Sequence, residues 1–151
     1  MEVSDSDIER TMHFLKQGFP NPVSKNKHTQ LGVHFEEIAE MIRELSSTDR
    51  IISNNLAVAY TVMVNLADAL KKSDNNISIR NEVDFLDSLC DQLVTAVGVG
   101  YVNNYDIVGA FGEVNRSNLS KFADDGSPIY DENKKLIKGP NYFKAHLSPF
   151  V

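Results

Sequence analysis

Apolar residues recur at helical spacing through most of the 151-residue chain, with turn-forming clusters between them. The pattern predicts five helices and a non-helical tail. The first runs from Asp5 to Gln17, with Ser4 or Ser6 as its cap and Gly18, Pro20 and Pro22 as its stop. "PNPVSKNKH" reads as a loop. The second helix covers Thr29 to Leu45; Phe35, Ile38, Ile42 and Leu45 form its buried stripe, and "SSTD" ends it. The third, Ser53 to Lys72, is apolar over much of its surface and is expected to be central or to lie at a subunit contact. After the polar loop "KSDNNIS", the fourth covers Arg80 to Tyr101, with Val83, Leu86, Cys90, Leu93 and Val97 as its buried stripe. The fifth, Asp106 to Phe122, is capped by Asn104 or Asp106. Beyond it, Pro128 to Ile137 is expected to form a small hairpin around "DENKK", and "HLSPFV" an extended tail. The fold class is therefore all-α: a bundle of about five helices in one domain over residues 1–151, with a hairpin-like C-terminal extension from about residue 123.

The polar positions raise a question that periodicity leaves open. "HFEEIAEMIREL" holds Glu36, Glu37, Glu40 and Glu44, with only Arg43 to offset them. Like charges three or four apart weaken a helix by roughly a few tenths of a kcal/mol per pair. Glu37, Glu40 and Glu44 lie within about 60° of one another on the helical wheel, away from the apolar stripe, and Glu36 lies one turn before Glu40. A solvated outer face is the ordinary explanation. The fourth helix repeats the feature in "EVDFLDSLCDQLV", where Asp84, Asp87 and Asp91 also fall within about 60° and no Lys or Arg intervenes. Aspartate is a poor helix-interior residue. Two carboxylate faces facing each other in a bundle would suit hard divalent ions such as Mg²⁺ or Mn²⁺.

Other chemistries fit less well. A di-iron bundle needs Glu-x-x-His from two helices; His34 has the wrong offset, and the fourth helix has no histidine. One cysteine and scattered histidines argue against zinc. Cys90 reads as core, and His13, His28, His34 and His146 as packing or surface residues. A formal charge of −6 opposes nucleic-acid and anionic-membrane binding. A lone cysteine fits a reducing compartment. With no signal-like N-terminus and no apolar run of about 18 residues, the expected location is the cytoplasm, that of a host cell if a phage encodes the chain.

These residues resemble a known family. "EEIAEM" is similar to the Glu-Glu-x-x-Glu motif of the MazG-like all-α nucleoside triphosphate pyrophosphohydrolases. "DFLD" resembles the second motif, Glu-x-x-Asp, with Asp84 in place of its leading Glu, and "EVNRSNLSKF" resembles the Asn/Lys-containing helix that follows. The tail "SKFADDGSPIYDENKKLIKGPNYFK" resembles a bacteriophage subgroup. Relatives include dimeric dUTPases and phosphoribosyl-ATP pyrophosphohydrolases. The chain departs from the family in the long helix between Glu40 and Asp84, and in the shortened residue 84, which makes Asp87 and Asp91 the stronger ligands.

The resemblance implies metal-dependent hydrolysis of a (deoxy)nucleoside triphosphate to monophosphate and pyrophosphate, by a homo-dimer or tetramer that shapes a nucleotide pool. A guanine deoxynucleotide is one guess at the substrate. About two or three Mg²⁺ or Mn²⁺ ions would be held by Glu37, Glu40, Asp84, Asp87 and Asp91, which would turn a repulsive cleft into one that accepts a triphosphate. Glu36, Glu37 and Glu40 form the catalytic group, with Glu36 or Glu40 orienting water. Arg116, Asn118 and Lys121 would hold phosphate oxygens, while Lys138, Tyr142, Phe143 and Lys144 would close the site from the tail or anchor it to a neighbouring subunit. Glu44 is expected to face solvent. The competing readings are a non-catalytic nucleotide- or protein-binding module and a phosphoribosyl-ATP pyrophosphohydrolase.

Overall fold

The helices start where a side chain can take up the N–H groups that a first turn leaves unpaired. The computed structural model describes residues 6–74 and 77–151. Within them run α1 (Asp7–Gly18), α2 (Ser24–Arg43), α3 (Arg50–Lys72), α4 (Glu82–Val102) and α5 (Ile107–Leu119), followed by a 3₁₀ turn at Ser148–Phe150. Ser6 and Glu9 cap α1 reciprocally. Asp49 accepts from Ile51 and Ile52 at the start of α3, and Asn81 from Val83 and Asp84 at the start of α4. Asp106, not Asn104, caps α5; Asn104 takes a left-handed conformation (φ 61°) in the preceding turn. Ser4 and the expected start at Asp5 lie outside the described residues. The chain is all-α, with no strand among the described residues.

One helix boundary differs for an instructive reason. α2 begins at Ser24, inside the expected loop. The segment "SKNKH" has no apolar rhythm, so its helicity is held from outside. Asn26 accepts from the Val23 N–H at 2.8 Å and closes the first turn. Lys25 Nζ then donates to the carbonyls of Lys71 (2.7 Å) and Ser73 (3.1 Å), and His28 Nδ1 lies 3.1 Å from the same Ser73 oxygen. Basic groups thus serve the unpaired carbonyls at the end of α3.

The described residues gather into two compact units. One contains α2 and α3 (Asn21–Ile77) with the turn Tyr130–Lys135; the other contains α1, α4, α5 and the rest of the tail, Ser78–Ile129 and Leu136–Val151. In the first unit α2 and α3 form a helical hairpin. Their contact is built from small residues: Ala39 and Ala67 are 1% exposed, and a Cβ on Gly32 would stand 2.7 Å from the Ala67 carbonyl oxygen. The expected stripe is displaced accordingly. Phe35, Ile38 and Ile42 are half-buried, and Leu45 is exposed.

In the second unit α1 lies against α5. The rings of Phe14 and Phe122 sit 5.5 Å apart. Asn115, 2% exposed, accepts from Thr11 Oγ1 at 2.8 Å and donates to the Asp7 carbonyl at 2.9 Å, so its buried amide is satisfied at both ends. The C-terminus is not the extended tail expected: Phe150 turns back, its carbonyl accepting from Asp106 N–H at 2.9 Å and its ring filling the space that Gly109 leaves. The small hairpin is present. Ile137 N–H donates to Ile129 at 2.8 Å in this unit, and Asp131 N–H to Lys135 at 3.0 Å in the other.

α4 departs furthest from expectation. Val83, Leu86, Leu93 and Val97 are all more than half exposed, and Cys90 is exposed rather than core. Their 3-4 spacing does define a stripe, but a heptad seam is equally a docking face, and only a covering element makes it a core. α3 likewise exposes Ile51, Ile52, Val58 and Val62.

The Gly32 contact yields a test. In Gly32→Ala the new methyl meets backbone, which cannot swing aside as a side chain can. We expect overpacking to cost about 1–3 kcal/mol, read as a fall in Tm of roughly 3–10 °C by circular dichroism. An unchanged Tm would contradict the close approach.

Candidate active site

The α2 carboxylates divide by what surrounds them. Glu36 faces α3 and is half-buried, whereas Glu37, Glu40 and Glu44 are exposed on the outer side of the helix. Glu36 Oε1 accepts from Lys71 Nζ at 2.8 Å, and Oε2 from Lys135 Nζ at 2.7 Å. Burial pushes the Glu36 carboxyl up, but hydrogen bonds and charge from Lys135 and Lys71 outweigh it and hold the group below the usual carboxylate range. Burial also pulls the Lys71 ammonium down, and Glu36 with Asp68 overcomes this and raises it. Glu44 pairs with its neighbour Arg43 at 3.3 Å, and its side chain is 76% exposed.

Asp84, Asp87 and Asp91 are exposed on α4. Asp84 has a helical reason for its place, since it sits with Glu82 in the first turn, where negative charge complements the helix dipole. That reason does not extend to Asp87 and Asp91, which lie one and two turns further on.

Among the described residues, no three His, Cys, Asp or Glu side chains are grouped so as to hold a metal ion. The donor chemistry nevertheless suits one class of ion. Glu37 and Glu40 are exposed carboxylates three residues apart, hence neighbours on the helix surface. Mg²⁺ binds through one or two carboxylates plus substrate phosphates and keeps several waters, rather than needing an all-protein cage.

The phosphate-binding candidates on and after α5 are more constrained than a solvated face would be. Arg116 forms a two-pronged pair with Glu113, Nε to Oε2 at 2.7 Å and Nη2 to Oε1 at 2.8 Å, and its guanidinium lies 4.3 Å from the Phe143 ring centroid. Glu113 also accepts from the His146 N–H at 2.8 Å. Arg116 and that N–H together hold the Glu113 carboxyl down at about 2. Ser117 Oγ donates to the Phe143 carbonyl at 2.8 Å, and the Phe143 N–H donates to Ser120 Oγ at 3.1 Å. Asn118 and Lys121 are half-buried, with Lys121 Nζ 5.8 Å from the Phe14 ring centroid. Lys138 Nζ lies 4.7 Å from the Tyr142 ring centroid. Lys144 is exposed. In this unit the tail is tied down on α5 of its own chain.

Sequence reading missed Lys71 and Lys135 as partners of Glu36. They lie 35 and 99 residues away, and no local pattern connects them.

The structure is similar to a crystal structure from Exiguobacterium sp. 255-15, a protein provisionally named an NTP pyrophosphohydrolase, with a TM-score of 0.60 over 95% of this chain and 90% of that one, at 20% identity. At that identity the likeness bears on the fold. No protein-family model matches the chain, and no curated protein matches it.

The Glu113 cluster predicts a pH response. A depressed carboxyl stabilises the fold above its unfolded value of 4.5, and that contribution fades as pH falls towards about 2. Amide protection at His146 should therefore decline between pH 4.5 and 2, and Glu113→Gln should remove this dependence. Hydrogen exchange followed by NMR reads both. A Glu113 carboxyl titrating near 4.5 would contradict the arrangement.

Proposed function

We propose that the chain hydrolyses a (deoxy)nucleoside triphosphate to the monophosphate and pyrophosphate with the help of Mg²⁺ or Mn²⁺. The observation that carries the reading is the pair of exposed carboxylate faces, Glu37 with Glu40 on α2 and Asp87 with Asp91 on α4, on a helical fold shared with a protein provisionally named an NTP pyrophosphohydrolase. In this reading Glu37 and Glu40 would hold metal on α2, and Asp84, Asp87 and Asp91 would hold metal on α4. A metal held there would neutralise charge on the triphosphate and make water more acidic. Glu40 would orient the attacking water. Lys121 and Asn118 are the phosphate-contacting groups. Arg116 is the weakest of the proposed phosphate ligands, because any phosphate must compete with the two-pronged Glu113 carboxylate for its guanidinium.

The reading includes self-assembly. The exposed apolar seam of α4 and the exposed β-branched residues of α3 are the proposed contacts between copies. The preferred base is left to the substrate panel, in which dGTP is one member.

The test is pyrophosphate release from the deoxy- and ribonucleoside triphosphates with and without Mg²⁺ or Mn²⁺. We expect turnover of at least one of them, stopped by EDTA and restored by metal. Glu40→Gln should lower kcat/KM about 100-fold or more, since loss of a metal's outer partner alone costs up to that much. Nucleotide bound but recovered intact would favour a binding module instead.

A further inference from the structure

The turn Tyr130–Lys135 is separated from α2 by about a hundred residues, yet it belongs to the same compact unit as the α2–α3 hairpin. Its own shape is set by Asp131, whose carboxylate accepts from the N–H groups of Asn133 and Lys135, both at 2.9 Å, while Lys134 takes a left-handed conformation (φ 60°). The turn then meets α2 at two points. Buried Thr29 donates from Oγ1 to the Asn133 carbonyl at 2.6 Å. Lys135 Nζ takes Glu36 Oε2 at 2.7 Å, while Lys71 of α3 takes Oε1. Three segments of chain therefore converge on one carboxylate, and each of its oxygens holds a lysine.

We infer that Lys135 is a positioning residue: acting through Glu36, it latches the 130–135 turn to the hairpin and fixes α2 so that Glu37 and Glu40 present their carboxylates in one set geometry. Glu36 is in this account the latch's anchor, neither a metal ligand nor the group that orients water. The anchor has a physical reason to be a glutamate. A half-buried carboxylate with two ammonium partners is compensated, whereas a divalent ion there would have to displace both lysines and leave Lys71, whose side chain is only 13% exposed, without its nearest partner. The metal-facing part of the inference rests on the proposed function; the latch itself does not.

The experiment separates position from charge and uses the 151-residue chain with Mn²⁺ as probe. Lys135→Met removes a positive charge near the α2 carboxylates, and Glu36→Gln removes a negative one. If the pair acts only by charge, the two variants shift the Mn²⁺ dissociation constant in opposite directions. If the latch positions α2, both weaken Mn²⁺ binding, by at least threefold, and Lys135→Arg restores parental binding. Hydrogen exchange reads the latch independently of metal, and exchange over 130–135 should rise at least tenfold in Lys135→Met and Glu36→Gln but not in Lys135→Arg. Opposite shifts in the dissociation constant, or Mn²⁺ binding unchanged in both variants, overturn the positioning role. Parental exchange over 130–135 in both variants overturns the latch. A parent chain that binds no Mn²⁺ overturns the proposed function together with the positioning role, and the exchange result still decides the latch.

Discussion

The close crossing of α2 and α3 at Gly32 is the constraint from which the rest of that unit follows. A Cβ there would meet Lys71 Cγ at 2.6 Å, so the lysine stem lies flat across the glycine. That course carries the Lys71 ammonium one turn further along α2, where Glu36 waits at 2.8 Å. A side chain at position 32 would lift the stem and break the reach. Burying a lysine is costly unless its charge is met. Here Glu36 and Asp68 meet it, and their pull outweighs the burial that would otherwise lower its pKa. The absence of one side chain thus permits one ion pair, and that ion pair leaves the second oxygen of Glu36 facing Lys135.

The same economy runs through α5 in the other unit. A tail without strands has backbone groups with few partners of its own. α5 and its C-cap Ser120 supply some of them from polar side chains: Ser117 and Ser120 bracket Phe143 and Glu113 takes the N–H of His146, while Asn115 reaches the carbonyl of Asp7 on α1. Serine and asparagine are poor helix interior residues. Ser117 and Asn115 cost α5 some local propensity, offset by their ties to Phe143 and Asp7.

What could be read from the sequence follows the range over which each feature is determined. Helix existence and capping depend on neighbours within four residues, so five helices, the caps at Ser6 and Asp106 and the small hairpin around "DENKK" are legible. The start of α2 is not, because its first turns are held by carbonyls more than forty residues away. The spacing of Val83, Leu86, Cys90, Leu93 and Val97 is legible as a seam, but spacing does not encode whether the cover comes from the same chain, and within this chain the seam is exposed. The acidic faces of α2 and α4 are legible as outward faces. That Glu36 leaves its group to join two lysines is not, since the wheel placed it beside Glu40 and could not see across to α3.

The two exposed features of α4 bear on each other. Asp84, Asp87 and Asp91 alternate along the helix with Val83, Leu86 and Leu93, so no surface can cover the apolar seam without approaching the carboxylates. In open water three aspartates on one helix cost little, because solvent screens them. A partner that buried the seam would strip part of that solvent, and the cost of each unpaired anion would rise steeply as the local dielectric falls. On the proposed assembly the aspartates therefore require cations, either lysines and arginines of the partner or divalent ions. α4 itself offers neither Lys nor Arg from Glu82 to Val102. In such an assembly, association through this helix and cation binding at its aspartates would be linked free energies, each favouring the other.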